Sequence, residues 1–110
     1  MADQKLTDLA AYQTAIKQPR ILLFKHSPVC PISATARAEF ELFKVANPDV
    51  PTLFVDVIGA RTLAREIAKL CGIEHESPQA ILFESGQAIW SASQTAITEG
   101  SLEAAWSTRC

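Results

Sequence analysis

Three cysteines, Cys30, Cys71 and Cys110, carry the widest chemical repertoire in this 110-residue chain. An odd number in a short chain does not describe a disulfide framework. A structural zinc site needs about four clustered ligands. Only His26 and His75 could add nitrogens, and no Cys-x-x-Cys pair exists, so no metal site is expected. Cys30 stands between a polar loop, His26-Ser27-Pro28-Val29, and Pro31. Proline suits the first position of a helix, where its missing N–H costs nothing and its fixed φ fits. That makes Cys30 the N-cap, with its sulfur facing the unpaired N–H groups and positive dipole end of the first turn. Both favour the thiolate. A thiol that ordinarily titrates near ~8.5 falls to about 7 or below at such a place. Ser33 stands three residues on, where a dithiol oxidoreductase carries its second cysteine. A serine cannot close a disulfide, but its N–H and hydroxyl can both reach the Cys30 thiolate. Cys30-Pro31-Ile32-Ser33 therefore reads as a monothiol redox site, with Cys30 as nucleophile and Ser33 as its support.

The surrounding elements must hold that junction. Thr7 is the expected cap of a first helix running to about Lys17, with Leu6, Leu9, Tyr12 and Ile16 at helical spacing. Ile21 to Phe24 is a short apolar run of the kind buried on both faces of a sheet. A second helix is predicted from Pro31 to about Ala46, with Ile32, Ala36, Phe40 and Phe43 on its inner face. Asn47-Pro48-Asp49 breaks the chain, and Thr52 to Val57 is a β-branched strand. A third helix spans about Ala60 to Leu70, with Leu63, Ile67 and Leu70 inward, and Gly72 sits where a glycine cap belongs. Ala80 to Phe83, a Ser85-Gly86 turn and Gln87 to Ala92 form an antiparallel hairpin. A last helix runs from about Glu99 to Trp106, with Leu102, Ala105 and Trp106 inward. Two strands joined by a helix pair in parallel with a right-handed crossover, and the hairpin makes the sheet mixed. The expectation is a single α/β domain over residues 1–110, a three-layer sandwich with a central mixed four-stranded sheet and helices on both faces.

Composition narrows the function. An apolar fraction of 48% supports a packed core, and a net charge of −2 argues against a nucleic-acid binder. No run approaches the roughly 18 to 20 apolar residues that span a bilayer. Residues 1–17 lack a signal-peptide core, so a cytoplasmic location is expected.

Phe24-Lys25-His26-Ser27, Cys30-Pro31-Ile32-Ser33 and His75-Glu76-Ser77-Pro78-Gln79 together resemble the YtxJ-like monothiol bacilliredoxins, which are thioredoxin-like proteins. The element order fits along nearly the whole chain. The resemblance implies a thioredoxin-like fold and a thiol–disulfide oxidoreductase. Its cysteine, here Cys30, would remove bacillithiol from S-bacillithiolated protein cysteines, with that small thiol as co-substrate and no bound cofactor. It implies too that Pro78 is a cis-proline facing Cys30, and that Pro31, Ser77, Pro78 and His26 contact substrate. Expected partners are S-thiolated proteins and a small thiol, with no nucleic acid, no membrane and a monomeric chain.

Other readings of single residues stay open. A cation at Lys25 or His26 would stabilise the thiolate further, although strand alternation keeps the two from pointing the same way. Closing the loop is the expected role of His26, and a plain turn role that of His75 and Glu76. Cys71 is expected buried and inert, Cys110 exposed and flexible with a resolving role open to it, and Trp90 and Trp106 in packing. Two alternatives to the bacilliredoxin activity remain. One is a glutaredoxin-like protein acting on glutathione mixed disulfides, whose Cys-Gly-Phe-Ser pattern is interrupted here by Pro31 and Ile32. The other is a non-catalytic thioredoxin-like interaction module.

Overall fold

The computed structural model of the protein describes residues 4–107. The elements run β1 (Gln4–Lys5), α1 (Leu9–Ala15), β2 (Ile21–His26), α2 (Pro31–Ala46), β3 (Thr52–Asp56), α3 (Arg61–Cys71), β4 (Gln79–Glu84), β5 (Gln87–Ser93) and α4 (Glu99–Ser107), with a 3-10 turn at Gln94–Ala96. The sheet order is β1-β3-β2-β4-β5. β3 is parallel to β1 and β2, whereas β4 is antiparallel to both β2 and β5. The four expected strands build the expected mixed sheet. The addition is β1, whose two residues pair with Leu53 and Phe54 at the edge. A two-residue strand carries no periodicity of its own, so nothing in the sequence announces it.

Side-chain alternation splits the sheet into two cores. On one face Leu23, Leu53, Val55 and Ile81 pack against Tyr12 and Ala15 of α1 and Leu63, Ala64 and Ile67 of α3. On the other, Leu22, Phe24, Ala80 and Leu82 pack against Ala36, Phe40 and Phe43 of α2 and Leu102 and Ala105 of α4. The rings of Phe24 and Phe40 stack at 4.7 Å and so fix α2 on the central strand.

Local chemistry adjusts several boundaries. Asp8, not Thr7, caps α1, its Oδ1 accepting from the Ala11 N–H at 2.8 Å. That helix ends at Ala15 rather than near Lys17. β2 runs two residues past Phe24, so His26 is its last residue and not the first of a loop. Ile32 and Leu70 lie at the margins of their buried stripes in terminal turns, and solvent reaches both. Cys71 ends α3 and is half-buried rather than buried, because the left-handed cap at Gly72 (φ 74°) turns the chain away directly after it. Gly72 caps α3 as expected, its N–H donating to the Ala68 carbonyl. Ser85 and Gly86 both have positive φ, 50° and 90°, the backbone that a two-residue hairpin requires. Trp90 and Trp106 pack against the α2/α4 core, with the Arg20 guanidinium 4.2 Å above the Trp106 ring. Among the described residues no helix is long and apolar enough to cross a membrane.

Candidate active site

Cys30 is the N-cap of α2, in an extended conformation (φ −106°, ψ 123°), with Pro31 in the first turn. Its N–H donates to the Ser27 carbonyl at 3.3 Å, and its carbonyl accepts from the Ala34 N–H at 3.1 Å. The backbone of the loop is thus tied on both sides while the side chain stays partly exposed. As a neutral thiol the sulfur makes no cap hydrogen bond of ordinary geometry. Its anion is stabilised nonetheless: the Ser33 N–H holds the Cys30 thiol below its ordinary value, desolvation opposes, and the Ile32 N–H and the Ser33 hydroxyl add to the lowering. A thiol sulfur accepts weakly and a thiolate strongly, so N–H groups too distant to bond the first still favour the second.

Ser33 is fully buried. Its Oγ accepts from the Ser27 N–H at 3.2 Å, which braces the loop against the first turn of α2. Accepting from Ser27 leaves the hydroxyl proton available to the Cys30 side.

The two basic residues before the loop part company. Lys25 follows Ile21 and Leu23 onto the α1/α3 face, is fully buried, and places Nζ 3.1 Å from His75 Nδ1. His26 lies on the other face, its ring 5.5 Å from Phe54 and 6.0 Å from Phe24. Burial and the neighbouring Arg37 push the His26 imidazole down, against weaker lifting by Asp56 and the Ser33 backbone. His26 therefore favours its neutral form, and the acidity of Cys30 comes from the Ser33 and Ile32 N–H groups and the Ser33 hydroxyl rather than from a cation at Lys25 or His26. The reason is geometric: the two side chains turn to opposite faces of the sheet, while Cys30 sits past the C-terminal end of β2.

The Ser77–Pro78 peptide is cis. The antiparallel register pairs Lys25 with Gln79. Pro78 thus enters β4 beside the point where β2 gives way to the Cys30 loop. Three bonds hold the approach. Gln94 donates from Nε2 to the Ser77 carbonyl at 3.1 Å and from its backbone N–H to the Pro78 carbonyl at 3.1 Å. Gln79 Nε2 donates to the Glu74 carbonyl at 3.0 Å. Gln94 takes a left-handed φ of 56° to do this. Neither role was legible beforehand: Gln94 lies in a stretch without periodicity, and Gln79 reads as the flank of a strand. His75 and Glu76 are more than turn residues, since they bond Lys25 and Gln94 respectively.

Alongside the first turns of α2 lies a cleft of about 190 Å³ lined by Ile32, Thr35, Ala36, Gln94, Ile97 and Thr98. Thr35 Oγ1 donates to the Pro31 carbonyl and Gln94 Nε2 to the Ser77 carbonyl, so much of the polar lining is already engaged. Val29, 78% exposed, adds an apolar surface directly before Cys30. Among the described residues, no three His, Cys, Asp or Glu side chains gather as a metal site would need. Cys110 lies outside the described residues.

Comparison with known proteins agrees with this geometry. A solved structure described as a candidate oxidoreductase with a thioredoxin fold shares 32% identity over 94% of this chain and 93% of its own, with a TM-score of 0.88. Mitochondrial thioredoxin 3 from Saccharomyces cerevisiae shares 24% over 94% of this chain and 92% of its own, TM-score 0.74. The thioredoxin of Malassezia sympodialis shares 19% over 97% and 90%, TM-score 0.77. Identities this low, in the last two, show the fold alone. The monothiol bacilliredoxin BrxC family matches residues 4–102. With its lone N-cap cysteine, its thioredoxin-like sheet and that match over most of its length, the chain belongs to the monothiol bacilliredoxins, thioredoxin-fold proteins of thiol–disulfide exchange.

Proposed function

We propose that the protein removes bacillithiol from S-bacillithiolated protein cysteines through a mixed disulfide on Cys30. The Cys30 thiolate attacks the bacillithiol sulfur of the client's mixed disulfide. The client sulfur leaves as a thiolate, and the adduct passes to Cys30. A second small-thiol anion then attacks the Cys30 disulfide, releasing the Cys30 thiolate and a low-molecular-weight disulfide. The number of disulfides and electrons is unchanged in each step. The carrying observation is the pairing of an N-cap thiol with Ser33 at the position of a second cysteine. Such a site has an activated nucleophile and no resolving thiol at that spacing, so the adduct waits for an outside thiol. Pro31, Ser77, Pro78 and His26 are the proposed substrate contacts, as the family resemblance implies. The setting we infer is the cytoplasm, the working unit a monomer, and the partners S-thiolated proteins and a small thiol, with no bound cofactor.

Intact-mass analysis tests this directly. Wild type, Cys30→Ser, Cys71→Ala and Cys110→Ser are each incubated with a bacillithiolated protein and, in parallel, a glutathionylated one. Cys30→Ser is expected to lose adduct transfer entirely, while the other two variants keep most of it. Adduct arriving on Cys30→Ser at the wild-type rate would sink the monothiol mechanism. Transfer from the glutathionylated protein alone would move the activity to the glutaredoxin-like alternative. A Cys110→Ser chain that stalls after one transfer, where wild type turns over without added thiol, would make Cys110 a resolving cysteine.

A further inference from the structure

Lys25 is the one charged side chain that is fully buried among the described residues. An ammonium in an apolar core is costly unless a partner compensates it. Its bonding partner is His75 Nδ1, at 3.1 Å and 50 residues away in sequence. His75 belongs to the segment that leads into the Ser77–Pro78 bond. That segment is fastened from three directions: by Gln79 of β4 at Glu74, by Gln94 at Ser77 and Pro78, and by Lys25 of β2 at His75. Only the last of these bonds depends on a side chain that titrates near neutral pH. An ammonium can donate to Nδ1 only while that nitrogen has a lone pair, so the bond requires neutral imidazole.

The surroundings keep it neutral. Burial, the Lys25 ammonium and Arg65 of α3 push the His75 imidazole below its ordinary value, with Glu76 opposing. Lys25 is itself lowered to about 8 by burial, with Cys71 of α3 opposing. Tyr12 of α1 shares the neighbourhood of Cys71.

We propose that Lys25 is a positioning residue of the exchange site: through His75 it helps hold residues 74–78 at the Cys30 end of the sheet, and protonation of His75 removes that one fastening and loosens them. The proposal rests on the functional reading above, in which that segment borders the client. It predicts weaker client engagement in acid as a rise in KM, separate from the loss of rate that protonation of Cys30 brings to every variant, because the groups that acidify Cys30 are those of Ser33 and Ile32.

The test compares wild type, Lys25→Met, His75→Leu and His75→Asn. At about pH 7.5, Lys25→Met and His75→Leu are expected to raise KM for an S-thiolated protein about tenfold with kcat little changed. Alkylation of Cys30 by iodoacetamide should proceed at the wild-type rate in both. Wild-type KM should climb only once the pH falls below the ordinary imidazole range. His75→Asn offers an acceptor oxygen but cannot take a proton, so it should keep a low KM and lose the acid rise in KM, while the fall in rate from Cys30 protonation remains. By NMR, Lys25→Met should raise the His75 pKa and shift the amide signals of residues 74–77. Unchanged KM in Lys25→Met, or an acid rise in KM that persists in His75→Asn, overturns the proposal. Should Lys25→Met fail to fold, the half-buried His75 variants decide. Should wild type accept no adduct, the functional reading falls, and the His75 titration with the 74–77 signals still decides whether the latch exists.

Discussion

Cys30 owes its reactivity to where one side chain sits and Ser33 owes its effect to two different atoms. The Ser33 N–H is the largest influence lowering the Cys30 thiol, and its hydroxyl the smallest. Ser33→Ala keeps the first and deletes the second. The same substitution strips the buried Ser27 N–H of its acceptor. Leaving a buried donor unsatisfied costs about 1–3 kcal/mol. Ser33→Ala is therefore expected to fold with reduced stability, to raise the thiol pKa, and to slow alkylation of Cys30 at neutral pH by ~3-fold. Urea unfolding and a pH series of iodoacetamide rates would check both halves. A Ser33→Ala protein with an unaltered thiol titration would remove the hydroxyl from the mechanism.

Helix α2 is the element on which the chemistry depends, because its first turn supplies the N–H groups that face the sulfur. Its grip on the sheet comes from one stripe: Ser33, Ala36, Phe40 and Phe43 are buried along it. Phe40 is fully buried and lies flat on Phe24 of the central strand, with an interplanar angle of 10°. Removing a phenyl ring from such a place costs about 3–5 kcal/mol, from lost burial plus the cavity left behind. Phe40→Ala should lower the unfolding free energy by that amount in urea. In the molecules that remain folded, the Cys30 titration should hold, since the groups acidifying it lie two turns away. A loss under about 1 kcal/mol would mean that the ring stack does not anchor α2.

Across the whole molecule, two buried titratable groups set an alkaline stability profile. Lys25 is lowered from 10.5 to about 8, chiefly by burial, and Tyr12 is raised from 10.0 to about 12 for the same reason. Between about pH 8 and 10 the unfolded chain holds the Lys25 proton that the native state has lost, so stability rises with pH. Cys30, also lowered in the native state, contributes with the same sign below the ordinary thiol range. Above about pH 10 the unfolded Tyr12 ionises while the native one keeps its proton, and stability falls. Urea unfolding under reducing conditions should show a maximum near pH 10, with a rise on the order of 2–3 kcal/mol from Lys25. In Lys25→Met that rise should shrink to the Cys30 share, while the fall above pH 10 remains. A flat profile between pH 8 and 10 in wild type would contradict the assigned burial of the Lys25 ammonium.

The path from sequence to site was uneven for physical reasons. Elements whose signals are local were legible: Pro31 starting α2, Gly72 ending α3, the Ser85-Gly86 turn, and apolar runs of strand length. The N-cap position of Cys30 was legible too, since a cysteine before a helix-starting proline is a feature of adjacent residues. Threonine and aspartate are both capping residues, so the sequence leaves Thr7 and Asp8 alike able to cap α1, and only the packed backbone chooses Asp8. Lys25 shows the other limit. In the sequence it is a cation near the loop and a candidate to tune Cys30. The strand's alternation sends it instead beneath the sheet to His75, and that pairing exists only when β2 and the segment before β4 lie side by side. Gln94 and Gln79 likewise acquire their roles from bonds to residues far along the chain or across strands. Local backbone preference and hydrophobic period thus determined the elements and the helix-capping place of Cys30. Which polar groups end buried together, and hence what holds residues 74–78, was decided by tertiary packing, because a side chain's partner is a property of the assembled sheet.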